Sequence, residues 1–322
     1  MAATLLDGVR LQLNKLSLKS VNERVDNYFG SSRSYFAAFG AASLALVGVT
    51  AAYQVAKGVT TYCLAAPLAL GINIRDYGEW AVVTGANDGI GRIYCLELAR
   101  RGLNIVLIAR DEEKLNVAAR DVELTHHVKT KVIVADFANA SLDMYNEIQS
   151  QLTGHRIGVL VNNVGDGGDE GLFLENPAST EGCLEMVNTN ATSYVMMTRL
   201  ILPGMVTRGK GIIICISSVN GDVPTPKAAL YSGTKRFVDF FAVALNEEYR
   251  DKGIVVQSVL PGAVDTKMVQ EEHRNSFWCV QPEEFVPLAI SQLGVRTRTY
   301  GHWKHAVHIK WRKVWPGARK LI

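Results

Sequence analysis

The stretch Thr84–Gly91 reads Thr-Gly-Ala-Asn-Asp-Gly-Ile-Gly and lies between a short apolar run, Ala81–Thr84, and a longer helical segment. Its glycines allow a tight turn and let the backbone approach a phosphate closely. The start of the following helix offers unpaired N–H groups and the positive end of its dipole to the same phosphate. This strand–turn–helix context predicts a pyrophosphate site formed by Gly85, Asn87, Gly89, Ile90 and Gly91.

Outward from this turn, short apolar runs alternate with helical segments. The predicted strands are Ala81–Thr84, Asn104–Ala109, Lys131–Ala135, Ile157–Val161, Gly211–Ile216 and Ile254–Leu260. The predicted helices are Ile90–Arg101, Glu112–Thr125, Leu142–Leu152, Glu181–Arg208 and Ala228–Lys252. Strands that are apolar throughout and alternate with helices are typical of a parallel sheet covered on both faces. The sequence therefore predicts one α/β domain with a Rossmann-type, doubly wound parallel sheet.

Charged residues follow the second predicted strand in Ala109-Arg110-Asp111. In dinucleotide-binding folds an acid at this place hydrogen-bonds the adenosine ribose, whereas an arginine accepts a 2′-phosphate. Arg110 therefore favours NADP(H), and Asp111 directly after it leaves NAD(H) as the second choice. A surface charge at the end of a strand is the plain alternative for Arg110.

A tyrosine and a lysine stand four residues apart, as Tyr231 and Lys235, near the start of a predicted helix. Residues at this spacing share one face of a helix. A phenol has an ordinary pKa near 10, and a neighbouring positive charge is expected to lower that pKa. Such pairs are common in helices, so the pair becomes a candidate acid–base site only through its surroundings.

Taken together, these motifs resemble those of the short-chain dehydrogenase/reductase family over residues 80 to about 300. The resemblance implies a catalytic set of Asn190, Ser218, Tyr231 and Lys235, with Asn188 and Ser217 as weaker matches. It also implies a cofactor site that includes the glycine turn. The cofactor-binding residues expected are Gly85, Asn87, Gly89, Ile90, Gly91, Arg110, Asp136, Asn163, Tyr231, Lys235, Pro261, Gly262 and Thr266.

Several stretches are similar to one branch of that family, the membrane-bound 17-beta-hydroxysteroid dehydrogenases and very-long-chain 3-oxoacyl-CoA reductases. Among these stretches are Leu202–Val206, Arg236–Phe241 and Gln257–Pro261. The resemblance implies NADPH-dependent reduction of a hydrophobic ketone, either a fatty 3-oxoacyl-CoA or a ketosteroid, or the reverse oxidation. Hydroxysteroid dehydrogenase-like protein 1, an inactive relative, is also similar but carries phenylalanine at the catalytic tyrosine. A silent scaffold with the nucleotide fold is therefore the alternative function.

The N-terminal region contains an uncharged, apolar run from Ser34 to Ala56, which is long enough to span a bilayer. A second, shorter run, Gly58–Ile74, contains Pro67 and suits an interfacial piece, a re-entrant piece or a second span. Residues 34–74 are thus a predicted membrane anchor, with a buried helical extension rich in alanine and glycine as the plain alternative. Residues 1–33 are interpreted as an amphipathic or solvated segment. The endoplasmic reticulum membrane is the expected location, with the mitochondrion as the alternative.

Residues 301–322 form a basic, aromatic C-terminal segment, interpreted as a surface tail whose tryptophans and lysines suit a membrane interface. The segment Lys267–Gln281 suits an apolar lid over the ketone, and ordinary packing of the same side chains is the equal alternative. A formal net charge of +3 is too small to indicate nucleic acid, and the five scattered cysteines suggest reduced thiols. No metal site is expected; a homo-oligomer is allowed.

Overall fold

The structure is a computed structural model that describes residues 23–24, 27, 32–68, 70–168, 171–174 and 179–314. The chain forms two compact units, Met1–Gly58 and Val59–Ile322. Most of the predicted N-terminal segment 1–33, and the end of the predicted tail from Trp315 to Ile322, lie outside the described residues.

A seven-stranded sheet forms the centre of the second unit, with all neighbouring strands parallel and in the order β3-β2-β1-β4-β5-β6-β7. The strands are β1 (Trp80–Thr84), β2 (Asn104–Ala109), β3 (Thr130–Val134), β4 (Ile157–Asn162), β5 (Gly211–Ile216), β6 (Ile254–Val259) and β7 (Arg298–Thr299). The doubly wound parallel sheet predicted from the sequence is confirmed.

Helices cover both faces of this sheet. They are α2 (Gly89–Arg100), α3 (Glu112–His126), α4 (Leu142–Leu152), α5 (Thr180–Val187), α6 (Ser193–Arg208), α7 (Ala229–Tyr249), α8 (Glu271–Arg274), α9 (Pro282–Ser291) and α10 (Trp303–Val314), numbered after the N-terminal helix α1 (Arg33–Val59). Successive strand residues point to opposite faces, so β1 places Val83 in one core and Val82 in the other. The first core includes side chains of α2, α3 and α9, and the second those of α4, α6 and α7.

The direction of winding reverses between β1 and β4, which are neighbours in the sheet although two strands separate them in the sequence. In open α/β sheets, ligands bind outside the carboxyl ends of the strands at such a switch point. The glycine turn leaves β1 at this edge, and Asn163 leaves β4 beside it. The fold thus brings two of the predicted sequence motifs to one crevice.

The predicted helix Glu181–Arg208 is divided in the structure by a π-helical turn, Asn188–Thr192, between α5 and α6. Single π-turns inside α-helices occur frequently at functional sites. The turn inserts an extra residue into the helical repeat and so changes the direction of the side chains around Asn190. Hydropathy patterning does not reveal such an insertion.

The C-terminal segment differs from the expected surface tail. Helix α10 buries His305, Ala306, Ile309 and Arg312 against the domain. Lys313 forms an ion pair with Asp222 at 2.7 Å. The interpretation of residues 303–314 as a tail is therefore corrected, because one face of this helix belongs to the folded domain.

The N-terminal helix α1 continues through a π-turn to Leu64, and Ser34–Leu64 is the one helix of the described residues that is long and apolar enough to cross a membrane. The second apolar run does not form another such helix. Residues near the two ends of this run contact the domain instead. Arg296 Nε donates to Thr61 Oγ1 at 2.8 Å, and Ile72 N donates to Leu293 O at 3.2 Å.

Candidate active site

The glycine turn after β1 has a backbone that only glycine adopts without strain. Gly85 and Gly89 lie in the left-handed region, with φ of 64° and 51°. A Cβ added to Gly91 would lie 2.2 Å from Gly85 O. The turn therefore keeps its backbone close to the N-terminus of α2, which is the geometry that a phosphate needs. Asn87 and Ile90 lie half-buried within the turn and the first turn of α2.

Asn163 holds the glycine turn in place from the end of β4. Its Nδ2 donates to Thr84 O at 2.9 Å and to Gly85 O at 3.3 Å. Its backbone N–H donates to Thr84 Oγ1 at 3.0 Å. Asn162 points elsewhere and donates to Thr198 Oγ1 at 3.1 Å. Of the two neighbouring asparagines, Asn163 is thus the one that holds the glycine turn.

The segment after β6 meets the glycine turn from the other side. A Cβ at Gly89 would lie 3.0 Å from the Thr266 methyl carbon. Asp88 caps α2 by accepting from Gly89 N at 2.8 Å, and its carboxylate pairs with Lys267. This ion pair, which the sequence patterns did not indicate, joins the glycine turn to the start of the predicted lid.

The charged residues after β2 and β3 differ in whether their side chains already bind other groups of the protein. Asp111 caps α3 by accepting from Lys114 N at 3.0 Å, and its carboxylate also pairs with the Lys114 ammonium. Arg110 is exposed. Asp136 accepts from Ala138 N at 3.2 Å and so stabilises its own turn. The carboxylate beside Arg110 is therefore committed to helix capping.

Tyr231 and Lys235 lie on the same face of α7, as their spacing predicts. Lys235 Nζ is 5.8 Å from the centre of the Tyr231 ring. The ammonium is buried and donates to Ile216 O at 3.0 Å and to Tyr194 Oη at 3.5 Å. Tyr194 is a contact that the sequence motifs did not indicate. Its own hydroxyl donates to Ile216 O at 2.9 Å, so this carbonyl at the end of β5 fixes both groups.

The acid–base properties of this pair are dominated by burial. Burial raises the pKa of the Tyr231 phenol, while a hydrogen bond with Ser218 opposes the rise and the Asp166 carboxylate adds to it. Burial lowers the pKa of Lys235 to about 8. The net shift of the phenol pKa is opposite to the one expected from the sequence, because desolvation outweighs the favourable interactions.

The structure distinguishes the two serines that end β5. Ser217 Oγ donates to Lys235 O at 2.6 Å, so its hydroxyl is used to attach α7 to the sheet. Ser218 lies next to the Tyr231 phenol, with which it shares a hydrogen bond. Its Oγ also accepts from Asn220 N at 3.1 Å. The hydroxyl that accompanies the phenol is therefore that of Ser218.

The two asparagines of the π-turn are distinguished in the same way. Asn190 is fully buried, and its amide exchanges two hydrogen bonds of 2.7 Å with the backbone of Asp166. Its Nδ2 also lies 3.3 Å from Thr234 Oγ1 on the helix of the tyrosine. Asn188 instead donates to Ala138 O at 3.2 Å. The π-turn thus directs Asn190 towards α7.

The segment Pro261–Thr266 is supported from outside the predicted motifs by His305 of α10. The imidazole Nε2 lies 3.0 Å from Ala263 O, to which it donates in that tautomer. A Cβ at Gly262 would lie only 2.8 Å from the ring. Burial lowers the pKa of His305 to about 4, so the ring is neutral at ordinary pH. The sequence analysis missed this residue because its spacing matches no motif.

An open apolar groove of about 770 Å³ lies between the π-turn and the N-terminal half of α7. It is lined by Phe173, Val187, Ala191, Thr192, Val195, Ala229, Leu230, Gly233, Thr234 and Phe237. None of these residues belongs to the predicted lid, Lys267–Gln281. The lid instead contacts α10, where the Trp278 ring stacks on His308 with 4.9 Å between ring centres.

The chain matches the model of a known protein family. The family model described as short chain dehydrogenase matches residues 79–276, which contain the glycine turn, Asn163, Asn190 and the Tyr231–Lys235 pair. The chain belongs to the short-chain dehydrogenase/reductase family. It is therefore a member of a family of nicotinamide-dependent oxidoreductases, and His305 lies beyond the part that the family model covers.

Relatives within this family include very-long-chain 3-oxoacyl-CoA reductases. The chain is 42% identical to the very-long-chain 3-oxoacyl-CoA reductase of Mus musculus over 83% of its own length and 84% of the relative's. It is 46% identical to the reductase of the same name from Homo sapiens over 71% and 73% of the two chains. It is also 42% identical to the inactive hydroxysteroid dehydrogenase-like protein 1 of Pongo abelii, over 76% and 74%.

Solved structures of short-chain dehydrogenases share the fold. A short-chain dehydrogenase from Sphingobium yanoikuyae in complex with NADPH is 29% identical, with a TM-score of 0.64 over 75% of this chain and 93% of that one. A 7beta-hydroxysteroid dehydrogenase is 25% identical, with a TM-score of 0.68 over 75% and 94%. A nicotinamide cofactor is thus supported for this chain by its family and fold.

Proposed function

We propose that this protein reduces the ketone of a fatty 3-oxoacyl-CoA with NADPH, with Tyr231 as the proton donor. The proposal is supported by the contacts among the candidate catalytic residues: Ser218 shares a hydrogen bond with the Tyr231 phenol, and Lys235 Nζ lies 5.8 Å from the centre of the Tyr231 ring. Asn190 Nδ2 lies 3.3 Å from Thr234 Oγ1 on the same helix. The names of relatives that are 42–46% identical over the aligned residues favour a 3-oxoacyl thioester over a ketosteroid. The reverse oxidation uses the same groups.

The cofactor site of this proposal fits the structure. The phosphates would lie on the glycine turn and the N-terminus of α2, where side chains at Gly85, Gly89 and Gly91 would obstruct the backbone. Asn163 would hold this turn, Asp136 would lie near the adenine, and Pro261–Thr266 would contact the nicotinamide. NADPH, when bound, supplies the hydride for the carbonyl carbon.

The preference for NADP(H) over NAD(H) is supported by the residues after β2. Asp111 already accepts two hydrogen bonds from Lys114, so it is poorly placed to bind a ribose hydroxyl. Arg110 is exposed and able to meet a 2′-phosphate. We expect Arg110→Ala to weaken NADPH binding more than NADH binding, as measured by titration of both cofactors.

The residues of α7 and β5 carry out the proton chemistry in this proposal. Tyr231 and Ser218 donate hydrogen bonds to the carbonyl oxygen and stabilise the negative charge that develops there. The raised pKa keeps the phenol protonated at neutral pH, as an acid requires. Lys235 orients the phenol and, through water held near Asn190, returns a proton to it.

The proposal is tested with purified full-length protein, NADPH or NADH, and a panel of 3-oxoacyl-CoA thioesters and ketosteroids. Tyr231→Phe should abolish NADPH oxidation but retain cofactor binding. Tyr145→Phe is the matched control, because the Tyr145 hydroxyl is buried without a hydrogen-bond partner in the described structure. Equal turnover by wild type and Tyr231→Phe would exclude the assigned role.

A silent scaffold is the second candidate function, because an inactive protein is among the relatives at 42% identity. The presence of Tyr231 argues against it, since the resemblance associates inactivity with phenylalanine at this position. If wild type and Tyr231→Phe are equally inert over the whole panel while both bind NADPH, the scaffold function replaces the reductase.

We also propose that Ser34–Leu64 anchors the chain in the endoplasmic reticulum membrane, with residues 75–300 as the catalytic domain. The length and apolar character of this helix support the anchor. Carbonate extraction should leave the full chain in the membrane pellet. Fractionation with markers for the endoplasmic reticulum and the mitochondrion then distinguishes the two locations.

A further inference from the structure

The C-terminal helix α10 buries polar side chains and exposes apolar ones, which is the reverse of what is expected for a helix surrounded by water. Its buried side contains His305 and Arg312, with only 1% and 2% of their surface exposed. Its outer side carries Trp303, Val307 and Trp311, with 41%, 49% and 45% exposed. Together with Val314, these residues follow the i, i+4, i+8, i+11 spacing of a single helix face. We call Trp303, Val307, Trp311 and Val314 the outer stripe.

The helix cannot turn this stripe inward, because three polar contacts fix its rotation. His305 Nε2 lies 3.0 Å from Ala263 O. Lys313 pairs with Asp222 at 2.7 Å, and His302, just before the helix, contacts Glu284 at 2.9 Å. Burying the tryptophans within the domain would break all three contacts. The outer stripe therefore stays exposed unless something outside the domain covers it.

The surroundings of the stripe indicate which partner covers it. Helix α10 contains four lysines and arginines and no acidic residue, and Lys310 lies exposed beside the stripe. Phe277 of the predicted lid extends the apolar surface, since its ring lies 6.3 Å from that of Trp303 and under the Lys304 ammonium at 4.9 Å. Tryptophan next to lysine is typical of a lipid–water interface, where the ring enters the headgroup region and the ammonium meets the phosphates.

The end of the candidate membrane span lies close to the start of α10. Tyr62, within the turn Thr60–Leu64, accepts a hydrogen bond of 3.3 Å from the backbone N–H of Tyr300. Trp303 begins α10 three residues further along the chain. Exposed apolar side chains continue from the same turn: Leu64 is its last residue, and Leu68 and Leu70 follow it. A bilayer that surrounds the span is thus within reach of the outer stripe.

We propose that the outer stripe of α10, with Phe277 of the lid, rests on the surface of the bilayer and that anionic headgroups strengthen this contact. The surface does not depend on the reaction. Where the proposed function holds, this contact brings the predicted lid, Lys267–Gln281, to the bilayer surface, next to a substrate that carries a lipid chain.

The test uses tryptophan fluorescence of the full chain in phosphatidylcholine vesicles, with and without phosphatidylserine, in which a part of the lipid carries bromine on its acyl chains. Bromine quenches only tryptophans that enter the bilayer. The candidate span contributes no background, because the chain has no tryptophan before Trp80. We expect quenching in the wild type, and stronger quenching with phosphatidylserine.

The decisive variant is Val307→Glu with Val314→Glu, which places charges in the stripe and leaves every tryptophan in place. Its quenching should fall to the level seen without brominated lipid, while the protein stays in the vesicle fraction. Leu124→Glu is the matched control, because Leu124 is 78% exposed on α3, which packs at the β3 edge of the sheet. Both substituted positions of the variant are exposed, and Val307→Gln replaces it if its melting temperature falls.

Equal quenching in the wild type and the stripe variant, or none in either, overturns the proposal. The same holds if the variant changes an oligomer into a monomer in detergent but leaves quenching intact, since a second copy then covers the stripe. Loss of quenching in the stripe variant, with unchanged turnover of a short, water-soluble ketone, supports the proposed contact of the outer stripe with the bilayer. Absence of turnover in every protein affects only the proposed function.

Discussion

Replacing His305 with alanine should weaken cofactor binding, although this residue lies outside all of the family motifs. The change removes the hydrogen bond to Ala263 O and the ring that packs on Gly262 and on Phe285, whose ring centre is 5.6 Å away. An unsatisfied buried carbonyl costs about 1–3 kcal/mol, and the cavity adds to this. We expect the free energy of unfolding to fall by about 2–4 kcal/mol. If about 1 kcal/mol of this loss is also lost from the free energy of cofactor binding, the affinity for the cofactor falls about fivefold.

The assay is titration of NADPH by fluorescence, at a temperature well below the melting points of all variants. His302→Ala is the matched control, because His302 is as buried as His305 but contacts Glu284 rather than the segment Pro261–Thr266. It should lower stability without changing NADPH affinity. His305→Gln should restore part of the affinity, since its amide N–H is able to donate to Ala263 O.

An equal loss of NADPH affinity in both alanine variants, or no loss in His305→Ala, would refute the reasoning.

The pH dependence of stability gives a test of His305 that is independent of cofactor binding. Burial lowers the pKa of His305 from 6.5 to about 4, so between these values the unfolded chain binds the extra proton and the folded protein does not. Stability contributed by this group is therefore lost as the pH falls from 6.5 towards 4, and thermal melts of His305→Gln should show a smaller loss.

Three further changes test other parts of the structure. Gly91→Ala should abolish NADPH binding in the same titration, because its Cβ would lie 2.2 Å from a carbonyl oxygen of the glycine turn. Gly233→Ala is the control and should not change binding, because a Cβ added there would meet no other described part of the protein within 4 Å. Lys235→Met should lose ketone reduction but be more stable at neutral pH by up to about 3 kcal/mol, because burial lowers the lysine pKa from 10.5 to about 8. The wild type should gain stability from this group as the pH rises from 8 to 10.5, and melts of the methionine variant should lack that gain. Asp239→Asn should cost about 1–3 kcal/mol in denaturant unfolding, since it removes a carboxylate that is only 3% exposed and pairs with Arg298 at 2.9 Å, while Arg298 keeps its pair with Asp222 at 2.8 Å.

Much of the fold follows from local sequence. Leu142–Leu152 and Gly211–Ile216 have the predicted bounds, because the helix begins at Ser141, whose hydroxyl accepts from Met144 N, and the strand is a continuous apolar run. The glycine turn and the spacing of Tyr231 from Lys235 could likewise be read directly. Each of these signals depends only on residues a few positions apart in the chain.

Other features required the tertiary structure. β7 has two residues, too few for any periodicity, and α10 buries polar residues while it exposes tryptophans, so hydropathy misplaced it as a tail. The family resemblance already favoured Ser218 over Ser217, but the reason is visible only in the structure: the Ser217 hydroxyl donates to the backbone of α7, whereas the Ser218 hydroxyl shares a hydrogen bond with the phenol.

The sequence by itself determined the order of strands and helices and the glycine turn, because these depend on short-range backbone preferences. It also predicted the residue types of the candidate catalytic set. The tertiary structure decided the directions of the pKa shifts, the π-turn at Asn190 and the support from His305. Desolvation and contacts between distant segments arise only when the chain has folded, and Ala263 meets His305 across 42 residues of sequence.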